Sequence, residues 1–115
     1  MHIFDELREN AVADNNLLIS NDSGGDVFST ARDVDFAFKT TERVKAQDLC
    51  DFINGKNYGR ARVEYNDEHG LYWVFVVIHT PITQNIICSL SGFMVCVARL
   101  FKIEYDGWGS VIQKP

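Results

Sequence analysis

The chain has 115 residues, of which 46% are hydrophobic and 23% charged, and it contains only two prolines. This composition excludes a disordered or collagen-like chain and favours one compact domain with its own core. Eleven Lys and Arg stand against sixteen Asp and Glu, so the formal charge of −5 argues against non-specific binding to nucleic-acid phosphates. Residue types alone predict no more than a soluble, acidic α+β domain.

The predicted elements follow from hydrophobic periodicity and from turn-forming residues. Helices show apolar residues three and four positions apart, strands show alternation, and Asn–Gly or Pro marks where an element stops. In chain order they are a helix over Met1–Leu18, a loop over Asn21–Asp26, a strand over Asp33–Lys39, a helix from Thr40 or Thr41 to Asn54–Gly55, a strand over Tyr58–Asn66, a strand over Leu71–His79, a helix over Thr83–Leu100 and a strand over Lys102–Ile112.

The order of these elements predicts the fold class. After the first helix it is strand, helix, strand, strand, helix, strand, which is the ferredoxin-like βαββαβ arrangement with a four-stranded antiparallel sheet and two helices on one face. Both faces of Leu71–His79 are apolar, as expected for a central strand covered on both sides. We therefore expect the N-terminal helix or a partner subunit to shield the second face.

The last helix has an unusual composition. The stretch 80–98 carries no formal charge, but its polar residues interrupt the apolar run too often for a transmembrane segment. A buried stripe is predicted at Ile86, Leu90, Phe93, Val97 and Leu100. Because Val95 and Cys96 extend the apolar surface of the helix beyond that stripe, we expect a self-association or partner surface there.

Residue patterns for catalysis, metals and cofactors are weak. The three histidines are scattered, no Cys-x-x-Cys occurs, and Asp33 with Asp35 supplies too few oxygen ligands for a hard cation. Cys88 and Cys96 lie eight residues apart in one predicted helix, about 12 Å, which is too far for a disulfide. The N-terminus shows no signal peptide. We expect a cytoplasmic protein that is not an enzyme and that needs no cofactor or metal.

Two other functions remain open at this point. RNA-recognition domains share the predicted topology and stack bases on aromatic residues of the first and third strands, where this chain has Phe36, Phe38, Trp73 and Phe75. A small enzyme domain is the other alternative, and its sign would be a deep cleft that holds a carboxylate with a strongly perturbed pKa.

The run Tyr105–Gly109, YDGWG, is the most distinctive in the chain. Its glycines allow backbone conformations that other residues avoid, and its aromatic rings can anchor a bend. One interpretation is a structural turn or bulge with Trp108 in the core. The other is an aromatic and acidic contact site, for which the candidate residues are Asp33, Asp35, Tyr105, Asp106 and Trp108.

Three segments are distinctive when taken together: NDSGGDVFSTARDVDFAF over Asn21–Phe38, the His79–Pro81 sequence before the last helix, and EYDGWG over Glu104–Gly109. In these segments the chain resembles the RraB family of protein regulators of ribonuclease E. The resemblance implies a ferredoxin-like domain over residues 21–115, preceded by a helix and linker over 1–20. It also implies a non-catalytic protein that binds a ribonuclease E-type partner and restrains RNA decay, without direct contact with nucleic acid or membrane.

The chain departs from the family pattern at its end and in its last helix. It ends without a long acidic tail, and the helix lacks the charges that family helices tend to carry. A homodimer through the apolar sheet face or the last helix is a further expectation. Residues 1–57 carry the whole net charge of −5 and residues 58–115 are neutral, so we expect a basic partner to bind the first half.

Overall fold

A computed structural model describes residues 2–115. The predicted order of elements is confirmed within this range, and Met1, the predicted start of the first helix, lies outside it. The elements are α1 (Ile3–Ser23), β1 (Arg32–Thr40), α2 (Arg43–Lys56), β2 (Arg60–Asn66), β3 (Leu71–Thr80), α3 (Gln84–Phe101) and β4 (Glu104–Ser110).

The four strands form one antiparallel sheet in the order β2-β3-β1-β4. The two central strands are therefore β1 and β3, as the ferredoxin-like prediction requires. Their register places Phe36 opposite Val76 and Phe38 opposite Val74. All four of these side chains are fully buried beneath the helices, and together they form the centre of the core.

All three helices lie on one side of the sheet. Helix α2 packs over β2 and β3, α3 packs over β4 and β1, and α1 packs against α3. Asp14 of α1 accepts a hydrogen bond from the Trp108 indole on the inner face of β4, which places α1 on the helical side. The expectation that α1 shields the second sheet face is therefore wrong, because its apolar contacts are made with α3 instead.

The opposite side of the sheet, here called the open sheet face, is covered by no other element of residues 2–115. Trp73, Phe75 and Val77 of β3 lie there, half-buried, since their neighbours of opposite parity face the helices. Cross-strand partners place Ala37 beside Phe75 and Lys39 beside Trp73. The face is completed by Asp33, Asp35, His79, Arg60, Arg62, Glu64, Glu104 and Asp106.

Two helices extend beyond their predicted ends. Helix α1 continues through Asn21 to Ser23, because the turn-forming residues begin to act only at Gly24 and Gly25, where φ is +82° at the second. Helix α2 passes Gly55 and ends at Lys56, followed by Asn57, which caps the helix in the left-handed conformation with φ of 59°. Asn tolerates the left-handed conformation because its short polar side chain can form local hydrogen bonds.

The buried stripe of α3 differs from the prediction. Of the five predicted residues only Val97 is fully inside, while Leu100 is 75% exposed and Phe93 is exposed as well. The buried residues are Ile87, Ser91, Met94, Val95, Val97 and Ala98. The helix is apolar around most of its circumference, so its periodicity did not reveal which side packs inward.

Part of the apolar surface of α3 packs against helix α1. Val95 is 8% exposed, and Gly92 lies against Leu7 of α1, where an added Cβ would meet the leucine Cδ2 at 3.6 Å. Helix α3 is long and apolar enough to span a membrane by length and composition, a test that core helices of globular proteins also pass. Here it packs between α1 and the sheet.

Candidate functional site

The five predicted contact residues are divided between the two faces of the sheet. Asp33 and Asp35 alternate with buried β1 residues and are exposed on the open sheet face. Asp106 lies on the same side, because its carboxylate pairs with Lys39 Nζ at 3.3 Å. The other two residues, Tyr105 and Trp108, point toward the helices.

A bulge in β4 explains how Tyr105 and Trp108, three residues apart, share one face. Trp108 pairs with Phe36 and Tyr105 pairs with Phe38, so β4 uses one residue more than β1 over this interval. Gly107 takes up the extra residue with φ of +95°, a conformation that favours glycine. The YDGWG run is therefore built to turn both aromatic side chains inward.

The polar atoms of the Tyr105 and Trp108 side chains belong to a buried hydrogen-bond network centred on Asp14. Its Oδ1 accepts from Trp108 Nε1 at 3.1 Å and from Ser91 Oγ at 2.9 Å, while its Oδ2 accepts from Asn10 Nδ2 at 3.2 Å. The Tyr105 hydroxyl lies 2.9 Å from Ser91 Oγ. The network therefore connects α1, α3 and β4 through polar groups that are satisfied within the protein.

Burial determines the protonation of this network. It raises the pKa of the Asp14 carboxyl, although the hydrogen bonds from Ser91 and Trp108 partly oppose the effect. It also raises the pKa of Tyr105 far above its ordinary value, so the phenol stays protonated. Asp14 is not among the residues predicted from the sequence, although it interrupts the apolar stripe of α1 between Ala11 and Leu18.

The Asn21–Phe38 segment that carries the family resemblance contains a second group of buried polar side chains. Arg32 Nη1 lies 2.7 Å from both carboxylate oxygens of Asp26, and the two side chains are 3% and 0% exposed. Asp26 also accepts from Asn21 Nδ2 and from the Gln113 backbone N–H. This ion pair fixes the glycine loop to the start of β1 and to the segment after β4.

Two aromatic residues form the centre of the open sheet face. The Trp73 and Phe75 rings are nearly parallel, at 7°, with centroids 5.8 Å apart. Lys39 Nζ lies 5.7 Å from the Trp73 ring and Arg62 Cζ lies 4.9 Å from the Phe75 ring, which are cation–π distances. The rings therefore present a platform that already contacts cationic groups of the chain itself.

Carboxylates pair with each of these cations. Lys39 lies 3.3 Å from Asp106 and 3.6 Å from Glu104, and the hydrogen bond and charge of Asp106 raise the pKa of the lysine. Arg62 lies 3.6 Å from Glu64. The side chains of these pairs are partly or largely exposed, so the pairs add little to the stability of the fold.

Asp33 and Asp35 differ in their surroundings. Asp33 contacts His79 Nδ1 at 2.9 Å and Arg60 Nη2 at 3.3 Å, and these contacts, with the histidine first, lower the pKa of its carboxyl. Asp35 has no hydrogen-bond or ion-pair partner within the described part of the chain. Asp35 is therefore the more available of the two for an external group.

A shallow hollow of about 580 Å³ borders the aromatic platform at the β2–β3 hairpin. Its wall combines both platform rings with three carboxylates and no basic residue. The lining residues are Glu64, Tyr65, Asn66, Asp67, Glu68, Trp73 and Phe75. An acidic and aromatic wall of this kind suits a cationic side chain.

Possible metal ligands, thiols and a buried carboxylate are the features that bear on catalysis. Residues 2–115 contain no group of three or more His, Cys, Asp or Glu placed to hold a metal ion. Burial raises the pKa of the Cys50 and Cys88 thiols, which is opposite to the change that activates a nucleophile. Asp14 lines a groove of about 550 Å³ beside α1, but three donors already hold its carboxylate.

Fold and surface together define an α+β domain of the ferredoxin-like class, with one helical face and one charged, aromatic open face. A family model described as RraB, Regulator of ribonuclease activity B, matches residues 12–110. Because the match covers most of the chain, this protein belongs to the RraB family. The comparison with curated proteins gave no significant match.

Proposed function

We propose that this chain is a non-catalytic, cytoplasmic regulator that binds a ribonuclease E-type enzyme directly and restrains RNA decay. The supporting observation is the RraB family match over residues 12–110, since the family is one of regulators of ribonuclease activity. The polar groups with perturbed pKa in the interior are held by the protein itself, and an exposed charged face is available for a partner.

The five candidate contact residues enter this proposal in two roles. Asp33, Asp35 and Asp106 touch the partner directly, because their carboxylates are exposed on one face. Tyr105 and Trp108 hold β4 in the bulged conformation that presents Asp106, and Trp108 also lines the groove beside α1 together with Asp106.

The experiment measures binding and inhibition separately. The purified chain is titrated into purified ribonuclease E by calorimetry, and cleavage of a fluorescent RNA is followed with and without the chain. We expect saturable binding and slower cleavage, and weaker binding for Asp106→Asn at unchanged thermal stability. Asp48→Asn on the exposed surface of α2 is the matched control and should bind as the wild type does.

The outcome that would contradict the proposal is a folded chain that neither binds the enzyme nor slows cleavage. Sedimentation of the chain alone is part of the experiment, since a homodimer through the open sheet face would compete with the partner. If Asp106→Asn unfolds the protein, Asp35→Asn takes its place, because the Asp35 carboxylate has no hydrogen bond or ion pair to lose among residues 2–115.

RNA binding by the open sheet face is the second candidate, favoured by the position of Trp73 and Phe75 on β3. Phe36 and Phe38, the other two predicted stacking residues, are fully buried and cannot meet a base. Carboxylates also outnumber cations on this face, which repels phosphates. We expect the labelled RNA alone to show no saturable binding to the chain.

A further inference from the structure

The open sheet face is half-apolar at its centre and lacks a covering element in residues 2–115. Its central residues are rings and small or branched side chains, whereas Val74 and Val76 on the other face of β3 are fully buried beneath helices. A half-buried aromatic pair on an uncovered sheet face favours an interaction site. The chemistry around the rings decides which partner fits.

Charge on this face is strongly unbalanced. Seven carboxylates lie on it or on its hairpin rim, against three cationic side chains. The carboxylates are Asp33, Asp35, Glu64, Asp67, Glu68, Glu104 and Asp106, and the cations are Lys39, Arg60 and Arg62.

Each of the three cations already has a carboxylate partner, so the excess negative charge is available to an external group. Asp35, Asp67 and Glu68 have no ion-pair partner in the range that the structure describes. Two of them line the hollow beside the rings, and Asp35 lies opposite Val77 in the middle of the face. Complementarity therefore requires a positively charged partner.

The chain itself shows how a guanidinium is held here. Arg62 places its Cζ 4.9 Å from the Phe75 centroid while its Nη2 lies 3.6 Å from Glu64. A planar guanidinium can stack on a ring and pair with a carboxylate at the same time, which an ammonium group does less well. The hollow offers the same combination, with the Trp73 and Phe75 rings beside Asp67 and Glu68.

We propose that the open sheet face binds a basic, arginine-bearing segment of the partner protein, with a guanidinium against the Trp73–Phe75 pair and the surrounding carboxylates. This inference rests on the proposed function and adds the surface and the chemistry of the partner. It also modifies the expectation from sequence that a basic partner binds the first half, because Glu64, Asp67, Glu68, Glu104 and Asp106 come from the second half.

The probe is a short fluorescein-labelled peptide of alternating arginine and valine, titrated with the intact chain and followed by fluorescence anisotropy. A peptide with citrulline in place of arginine keeps the shape and removes the charge. We expect the arginine peptide to bind more tightly by about tenfold or more, and its affinity to fall as salt is raised.

Single substitutions test whether the arginine peptide binds to the open sheet face. Trp73→Thr and Asp35→Lys should each weaken the arginine peptide by about tenfold. Phe4→Thr on α1 removes an exposed aromatic ring and Asp48→Lys on α2 reverses an exposed charge, both on the helical side of the molecule, and they should leave the affinity unchanged. Circular dichroism checks folding, and Asp35→Asn replaces Asp35→Lys if the reversal unfolds the protein.

Three results would overturn the proposal: equal affinity for the arginine and citrulline peptides, equal affinity for all variants, or tighter binding of a single-stranded RNA that is lost in Trp73→Thr. The same variants are then titrated with ribonuclease E. Enzyme binding that ignores Trp73→Thr and Asp35→Lys refutes this surface but leaves the proposed function standing. Peptide binding without enzyme binding refutes the ribonuclease as partner but supports the surface.

Discussion

The buried Asp26–Arg32 ion pair gives the sharpest test of how the fold is held together. Replacing Arg32 with Met removes the guanidinium and keeps most of the side-chain volume. Asp26 is then a buried carboxylate whose remaining donors are Asn21 Nδ2 and the Gln113 backbone N–H. The Val27 carbonyl also loses the donor that Arg32 supplies at 2.7 Å.

Breaking a buried ion pair by removing one partner costs about 3–5 kcal/mol, because the other charge is left without compensation. A domain of this size is stable by roughly 5–15 kcal/mol, so Arg32→Met should lose about a fifth or more of its free energy of unfolding. The midpoint of thermal unfolding should fall by roughly 10–20 °C.

A double-mutant cycle separates the pair from the rest of the site. Asp26→Leu combined with Arg32→Met removes both charges, so the double variant should lose about 2–3 kcal/mol less than the sum of the single losses. Urea unfolding is followed by the fluorescence of Trp73 and Trp108, which lie on opposite faces of the sheet.

The control is Arg60→Met, which breaks the exposed pair with Asp33 and should leave the urea midpoint unchanged. The reasoning is refuted if Arg32→Met costs less than about 1 kcal/mol, or if the losses in the double variant are simply additive. Either result would mean that the ion pair contributes little to the stability of the junction between the glycine loop and β1.

Three further predictions concern the network, the bulge and the core. Burial raises the pKa of Asp14 above its ordinary value of 3.8, so the folded state binds a proton before the unfolded state does, and the stability of the wild type relative to Asp14→Asn should increase as pH falls from 7.5 to 4, measured by urea midpoints. Gly107→Ala, at φ +95°, should cost about 1 kcal/mol or more in urea unfolding, whereas Gly109→Ala, with open space at its Cβ position, should cost less. Ile87→Ala should cost about 2–5 kcal/mol by thermal unfolding and Leu100→Ala less than about 0.5 kcal/mol, and equal losses would contradict the assigned packing of α3.

The candidate site was only partly visible in the sequence. The predicted acidic residues Asp33 and Asp35 do share an exposed face, because strand alternation fixes their side. The Asp14 network was not predicted, since its members are far apart in the chain and meet only when α1 packs on α3. Trp73 and Phe75 were noticed as aromatic residues of β3, but alternation in a strand that is apolar on both sides does not say which face is covered.

The sequence by itself determined the order of the elements, the central position of β1 and β3 and the family. These properties depend on local periodicity, on turn residues and on the Asn21–Phe38 and Glu104–Gly109 motifs, all of which act along short stretches of chain. The tertiary structure decided that α1 joins the helical side, which face of α3 is buried and that Tyr105 and Trp108 point inward. The physical reason is that α3 is apolar around most of its circumference and β3 is apolar on both faces. Their sequences therefore allow more than one side to be buried, and only contact with the rest of the fold determines which side it is.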